Sequence, residues 1–248
     1  MRPLLRWIAL AVAAVLALQL FFVARIALMA TVAPQSTAFE RSEAWRLLTE
    51  KGRLRWRQQW VNYADIADDL KRAVIASEDD GFAYHDGVDW DAVEKAWQTN
   101  ALAEANVGWR IAHGAKTPKP IKIVGGSTIT QQLAKNLFLS GERTLLRKGQ
   151  EFVLTFLLEA MLSKERILEL YLNHVEWGEG VFGAEAAAQH YYRKPAAKPT
   201  ASEAARLPVM LPLPKSYDKT PNSGSLPLQP GVLLNRPPKS APTYHRST

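Results

Sequence analysis

Three observations predict a mainly α-helical protein, one helical domain behind a single membrane-spanning helix. A run without charge, Trp7 to Ala24, opens the chain. Apolar residues then recur at three- and four-residue intervals in segment after segment, which is helical spacing. Several of these segments begin at residues that cap helices: Asp89, Thr128, Ser163 and Ser202. Lys51 to Trp60 is the one stretch whose alternation suits a strand or extended arm.

With 248 residues and 47% apolar content, the chain has room for one substantial domain and an appendage. It has no cysteine, so no disulfide framework holds the fold. The formal net charge of +7 implies an anionic partner: nucleic acid, a membrane surface or a phosphate-bearing substrate. No internal repeat is found. The expected division is 1–33 for a cytoplasmic N-terminus and anchor, 34–59 for a connector and membrane-proximal arm, 60–220 for the main domain, and 221–248 for a tail.

At about 1.5 Å per residue the opening run can cross the hydrocarbon core of a bilayer. Arg2 and Arg6 precede it and favour a cytoplasmic N-terminus, with the rest of the chain outside. A cleaved secretory signal shares this pattern. The run is long for one, and Ala30 to Ala33 make no convincing cleavage site, so a retained anchor is expected.

Ala33 to Leu48 reads as a polar connector leading into a short helix. The arm that follows carries Arg53, Arg55, Trp56 and Arg57, which suit either a lipid headgroup layer or a solvated edge. Ile66 to Ser77 is a helix with Leu70, Val74 and Ile75 on one face, and Gly81 is expected to stop it. Glu78-Asp79-Asp80 gives three carboxylates in a row, with Phe82 turning back to the core. Asp89 caps a helix from Trp90 to about Leu102, with Val93 and Trp97 inward. Glu104 to Gly126 reads as a long basic loop, and loops of that length are usually functional or disordered.

Gly126 to Asn136 is polar where a core helix would be apolar. Thr128 and Gln131 fit a capping box, so a helix starts here. Its free N–H groups and positive dipole end suit an anion, a phosphate or a sugar-linked group. Arg143, Arg147 and Lys148 form a basic cluster before Glu151, and Arg147 stands four residues from it, the spacing of an intrahelical ion pair. Glu151 to Leu162 is apolar enough for a helix buried nearly all round. Helices follow at 164–173, 184–192 and from Ser202 to about Pro208, with a turn at Trp177 to Gly180. From Pro221 prolines recur, acidic residues are absent, and the tail reads as disordered.

Four motifs occur in one order: Glu78-Asp79-x-x-Phe82-x-x-His85-x-Gly87; Gly126-Ser127-Thr128-x-x-Gln131-Gln132-x-x-Lys135-Asn136; Arg147-Lys148-x-x-Glu151; and Arg166-Ile167-Leu168-Glu169-x-Tyr171-Leu172-Asn173. From about Trp60 to Tyr217 the chain resembles the peptidoglycan glycosyltransferases of glycosyltransferase family 51. A single such domain behind one anchor resembles its monofunctional biosynthetic branch.

The resemblance implies a lysozyme-like helical lobe with a smaller membrane-proximal lobe. It implies polymerisation of lipid II into β-1,4-linked glycan with inversion, releasing undecaprenyl pyrophosphate. It implies a site on the periplasmic side of a bacterial inner membrane. Glu78 matches the general base and Glu151 the second carboxylate, which helps the pyrophosphate leave directly or through a cation. Lys135 and Arg143 match donor-phosphate positions. Ser127, Thr128, Gln131, Gln132, Asn136, Arg147 and Lys148 join them as substrate-binding residues, with Asp79, Phe82, His85 and Gly87 in support.

No tightly bound cofactor and no metal-ligand set are expected, with magnesium or manganese at the pyrophosphate as the cation the resemblance allows. The partners implied are lipid II, the growing strand, membrane lipid and other wall-synthesis or division proteins, and no nucleic acid.

The chemistry agrees with those roles. An attacking hydroxyl must lose its proton, so a positioned carboxylate helps. Asp79 and Asp80 beside Glu78 should raise its pKa. Cations at Lys135, Arg143 and Lys148 can stabilise charge developing on a pyrophosphate. Two departures from the pattern stand out: the segment between Glu78 and Gly126 is longer than expected, and the resemblance is lost after Ser223-Gly224. A lysozyme-like wall hydrolase and a non-catalytic membrane scaffold are the competing readings. The first would need neither Lys135 on a polar helix start nor the anchor.

Overall fold

The computed structural model describes residues 2–113, 124–139, 141–142 and 144–211. The tail at 221–248, the predicted loop's Lys116, Lys119 and Lys122, and Arg143 lie outside the described residues.

Helix α1 (Arg2–Met29) is long and apolar enough to cross a membrane, with a mean hydropathy of 2.5. Most of it is exposed, but Phe22, Ile26 and Met29 are buried in the main core. Helix α2 (Ala38–Lys51) starts at a Thr37–Glu40 capping box and ends at Gly52. Strand β1 (Arg57–Gln58) is all that forms of the expected arm, because the flanking residues find no ladder partner. Trp56 packs on Phe182 and Arg166 lies over the Trp60 ring, so both tryptophans serve the domain.

The main lobe is helical, as the sequence predicts: α3 (Asp68–Glu78), α4 (Trp90–Ala112), α5 (Ile129–Phe138), α6 (Leu145–Met161), α7 (Lys164–His174), α8 (Ala184–Tyr192) and α9 (Ala201–Met210). This is the mainly helical architecture expected of a lysozyme-like lobe. Helix α5 lies at its centre, packed on α2, α6 and α7, while α3 packs on α9 and α1 on α6. Strands β2 (Glu176–Gly178) and β3 (Val181–Phe182) make a hairpin around Glu179 and Gly180. In the sheet order β1-β3-β2, β1 runs parallel to β3. The sheet and α2 gather around Phe182, which touches Phe39 and Trp56. This is the smaller cluster beside the main lobe.

Several expectations are corrected. Helix α4 continues to Ala112, so Glu104 to Ala112 is helix and not loop. Ala101, Ala103 and Ala105 favour its continuation, and Gly108 is tolerated inside it. Trp97 is 75% exposed and Val93 36%, and the buried residue of this helix is Ala96. Helix α3 ends at Glu78, capped by Asp79, before Gly81 is reached. Helix α6 is not buried all round: Val153 and Phe156 are exposed, and only one stripe faces the core. Thr200, not Ser202, caps α9, through a capping box with Glu203, and Pro208 lies inside that helix.

The last motif explains itself as fold. Asn173 exchanges hydrogen bonds with the backbone of Val61, both at 2.9 Å. Glu169 accepts from Tyr63 N–H at 2.8 Å, and Arg166 Nε donates to Met29 O at 2.8 Å. One face of α7 thus ties down both the segment before α3 and the end of the anchor.

Candidate active site

Glu78 is the last residue of α3, and the chain turns away immediately after it. Its Oε2 accepts from Gln132 Nε2 of α5 at 3.2 Å. Its carboxyl is raised above the ordinary range, chiefly by burial. Hydrogen bonds from Gln132 and Ser77 pull the other way, and Asp79 adds the smallest upward push. The neighbouring carboxylates were expected to cause the rise, but desolvation outweighs Asp79, and Asp80 is not among the causes.

Asp79 has a different task. Its Oδ2 accepts from Ile129 N–H, the first residue of α5, at 2.9 Å. Its Oδ1 lies 2.8 Å from His85 Nε2. His85 Nδ1 accepts from Gly87 N–H at 3.1 Å, so the imidazole proton sits on Nε2 and points at Asp79. The anion at the start of α5 is therefore the protein's own Asp79. Thr128 is engaged there too: its hydroxyl donates to Gly87 O at 2.6 Å and accepts from Gln131 N–H at 3.1 Å. Gln131 returns the cap by accepting from Thr128 N–H at 3.0 Å. Both side chains are buried and hold the helix start.

Gly87 has φ of +94°, and a Cβ there would stand 2.6 Å from Thr155 Cγ2 of α6. Only glycine lets this loop lie against α6 while its carbonyl meets Thr128. Lys164 completes the support, donating to His85 O at 2.6 Å and to Glu159 at 2.8 Å, with its ammonium over the Phe82 ring.

Glu151 lies on α6 and is 3% exposed. Arg147 Nη1 donates to its Oε2 at 2.9 Å and Lys148 Nζ to its Oε1 at 2.5 Å. The intrahelical ion pair expected from spacing is present, with a second cation added. Lys135 of α5 projects into the same space. Solvent reaches it, yet protein surrounds it closely. That desolvation lowers its ammonium below the ordinary lysine range, Glu151 opposes the shift, and Arg147 and Lys148 add to it.

Two cavities result. One, of about 400 Å³, is lined by Lys135, Asn136, Arg147, Lys148, Glu151 and Gln132, with Phe39 of α2 at its edge. The other, of about 520 Å³, is lined by Glu78, Asp80, Asp89, Asp91 and Lys95, with the backbone of Gly125 and Gly126. Ser127 lines both. The fold thus sets a cation-rich hollow next to an acidic one, with Ser127 at their junction and Gln132 of the first bonded to Glu78 of the second.

The donor set at Glu151 does not fit a divalent cation. Both of its oxygens already meet positive groups, and among the described residues no three carboxylates or imidazoles converge. It fits an anion held by Lys135, Arg147 and Lys148. Tyr171 was absent from the expected site residues: its hydroxyl donates to Gln132 Oε1 at 3.0 Å. The motif that contains it was the available signal.

Comparison with known proteins adds an independent line. A family model described as Transglycosylase matches residues 46–235. The chain is 47% identical over 237 residues to a biosynthetic peptidoglycan transglycosylase of Herminiimonas arsenicoxydans, covering 95% of this chain and 96% of that one. It is 48% identical over 239 residues to one from Burkholderia thailandensis, covering 95% and 87%. It is 52% identical over 203 residues to one from Bordetella pertussis, covering 82% and 79%. The family match starts inside the expected arm and continues past residue 220.

Proposed function

The chain belongs to the transglycosylase family, and from that premise we propose that it polymerises lipid II into β-1,4-linked glycan and releases undecaprenyl pyrophosphate. The enzyme is a glycosyltransferase of peptidoglycan synthesis, acting in the building of the cell wall. The observation that carries the detailed reading is the meeting of two unlike cavities at Ser127, with Gln132 of the first bonded to Glu78 of the second.

In this reading the lipid-linked pyrophosphate of the donor occupies the cation-rich cavity. Lys135, Arg147 and Lys148 meet its oxygens, and Glu151 holds Arg147 and Lys148 in place. The acceptor sugar reaches the junction from the acidic cavity. Its 4-hydroxyl oxygen attacks the donor's anomeric carbon while Glu78 takes the hydroxyl proton. The new glycosidic bond forms as the bond to the pyrophosphate oxygen breaks, and that oxygen keeps the electron pair. Attack and departure on opposite faces give inversion.

A carboxyl raised by burial is a stronger base once ionised, which suits it to the first step. Cations fixed before the reaction stabilise the charge that grows in the second. Helix α1, long and apolar enough to cross a membrane, supports a site at a membrane. We assign that membrane as the bacterial inner membrane, with the N-terminus cytoplasmic and the catalytic domain periplasmic.

The test is incubation of the purified full chain with lipid II in detergent or vesicles. Polymer and free undecaprenyl pyrophosphate are expected. Cleavage of finished glycan without any polymer would sink the proposal.

A further inference from the structure

Gln132 stands between two groups that contact it from different helices. Its Nε2 donates to Glu78 Oε2 at 3.2 Å, and its Oε1 accepts from Tyr171 at 3.0 Å. Tyr171 lies in the middle of α7 and is 1% exposed. An amide offers one donating and one accepting end, and a carboxylate can bond only the donating end. Gln132 also lines the cationic cavity, and its Nε2 reaches Ser127 O at 3.5 Å as well, while Tyr171 fixes the accepting end of the amide.

We propose that Tyr171 is a positioning residue: its hydroxyl fixes the Gln132 amide with its N–H edge on Glu78, so that the carboxylate is aimed and available for the acceptor's proton. The inference rests on the reading of Glu78 as the base. Tyr171 touches no reacting atom and acts through Gln132.

The surroundings support the chain of contacts. Burial, then the charges of Glu78 and Asp79, push the phenol of Tyr171 well above its ordinary value, so it keeps its proton to donate. The groups around Glu78 are mostly of its own sign. Asp79 follows it in sequence, Asp80 lines its cavity, and Asp89, Asp91 and Lys95 line that cavity from around the start of α4. Among the described residues no cation pairs with it. Besides Ser77, Gln132 is the side chain that favours its ionised form, which makes the orientation of one amide matter.

Tyr171→Phe removes one oxygen and keeps the ring. The expected result is a fall in kcat of about tenfold, the size set by one hydrogen bond, with KM for lipid II unchanged. The acid limb of the pH profile should move to higher pH, because a bond that favoured the carboxylate is lost and its pKa rises further. In a double-mutant cycle, Tyr171→Phe should cost nothing more in a Gln132→Met background. A Tyr171→Phe enzyme with the wild-type pH profile overturns the inference, as does a loss carried wholly by KM.

If Tyr171→Phe does not fold, Gln132→Asn supplies the answer. The shorter side chain withdraws the N–H from Glu78, so its acid limb should move the same way, and an unmoved limb overturns the inference. Glu78→Gln separates the two levels. If it polymerises like wild type, the base assignment itself fails. If it is inactive while Tyr171→Phe keeps the wild-type profile, only the positioning role fails.

Discussion

Glu78 and Glu151 are the same side chain in opposite surroundings. Glu78 sits at the C-terminal end of a helix, where the dipole is negative, next to Asp79, half-buried and partly desolvated. Glu151 is buried, but two cations grip its oxygens. The first carboxylate is held in discomfort and is the more basic for it. The second is neutralised and orders the cations that would meet a pyrophosphate. The difference shows that neighbours, rather than residue type, divide the labour between the two cavities.

The largest expected effect comes from Glu78→Gln. Polymerisation of lipid II should fall about 10²–10⁴-fold, the range for loss of a general base. The same change should raise the melting temperature by about 1–3 °C at neutral pH. The sign follows from the raised carboxyl: folding is favoured below the unfolded pKa, and that advantage is lost as pH rises through the folded one. A glutamine carries no charge to desolvate. A variant that is both inactive and less stable than wild type would refute this account of the strain.

Lys135→Met probes the other cavity. Turnover should drop about 10²-fold, as when one preorganised donor to a developing charge is removed. The melting temperature should hold, since the ammonium is already disfavoured where it stands. Steady-state kinetics with a thermal melt read both quantities.

Glu151→Gln sharpens the contrast with Glu78→Gln, because here the melting temperature should fall. Arg147 and Lys148 lose their counter-charge, at a cost of about 1–3 kcal/mol once solvent access to Lys148 is allowed for. Opposite shifts in a calorimeter from two identical substitutions would confirm that the surroundings differ as described. Equal shifts would erase the comparison.

Gly87→Ala is expected to have the smallest effect on activity, while costing about 1–3 kcal/mol of stability from a positive φ and a clash with Thr155. Activity should follow only as far as the Asp79–His85 support moves, which a melt and an activity assay on one preparation will show.

Much of this was legible in the sequence, for local reasons. Capping boxes announce themselves over four residues, so Thr128 and Gln131 located the start of α5 correctly. Arg147 and Glu151 met because i,i+4 spacing on a helix brings them together. What failed was long-range or two-valued. The anion at α5's N-terminus comes from Asp79, 50 residues earlier, and no local pattern reveals that partner. Phe156 and Val153 looked like core because an apolar side chain reads alike whether it faces a core or remains exposed. Tyr171 stands in a motif that gives its hydroxyl no partner, and the partner appears only where α7 packs on α5.

For an α1 that crosses a membrane, as proposed, the burial of Phe22, Ile26 and Met29 sets the height at which the enzyme rides. Gln19 and Gln150 also exchange hydrogen bonds, at 3.0 and 3.2 Å, so the domain grips the anchor from Gln19 onward. The free stretch from Pro3 to Leu18 rises only about 24 Å at helical pitch, short of a hydrocarbon core of about 30 Å. A spanning α1 therefore draws the foot of the domain down to the lipid instead of suspending it on a tether. Leu145 and Leu146 are about nine-tenths exposed on the first turn of α6. On the proposed reading, a lipid-linked substrate in the same leaflet meets its catalyst by lateral diffusion, and the search is two-dimensional.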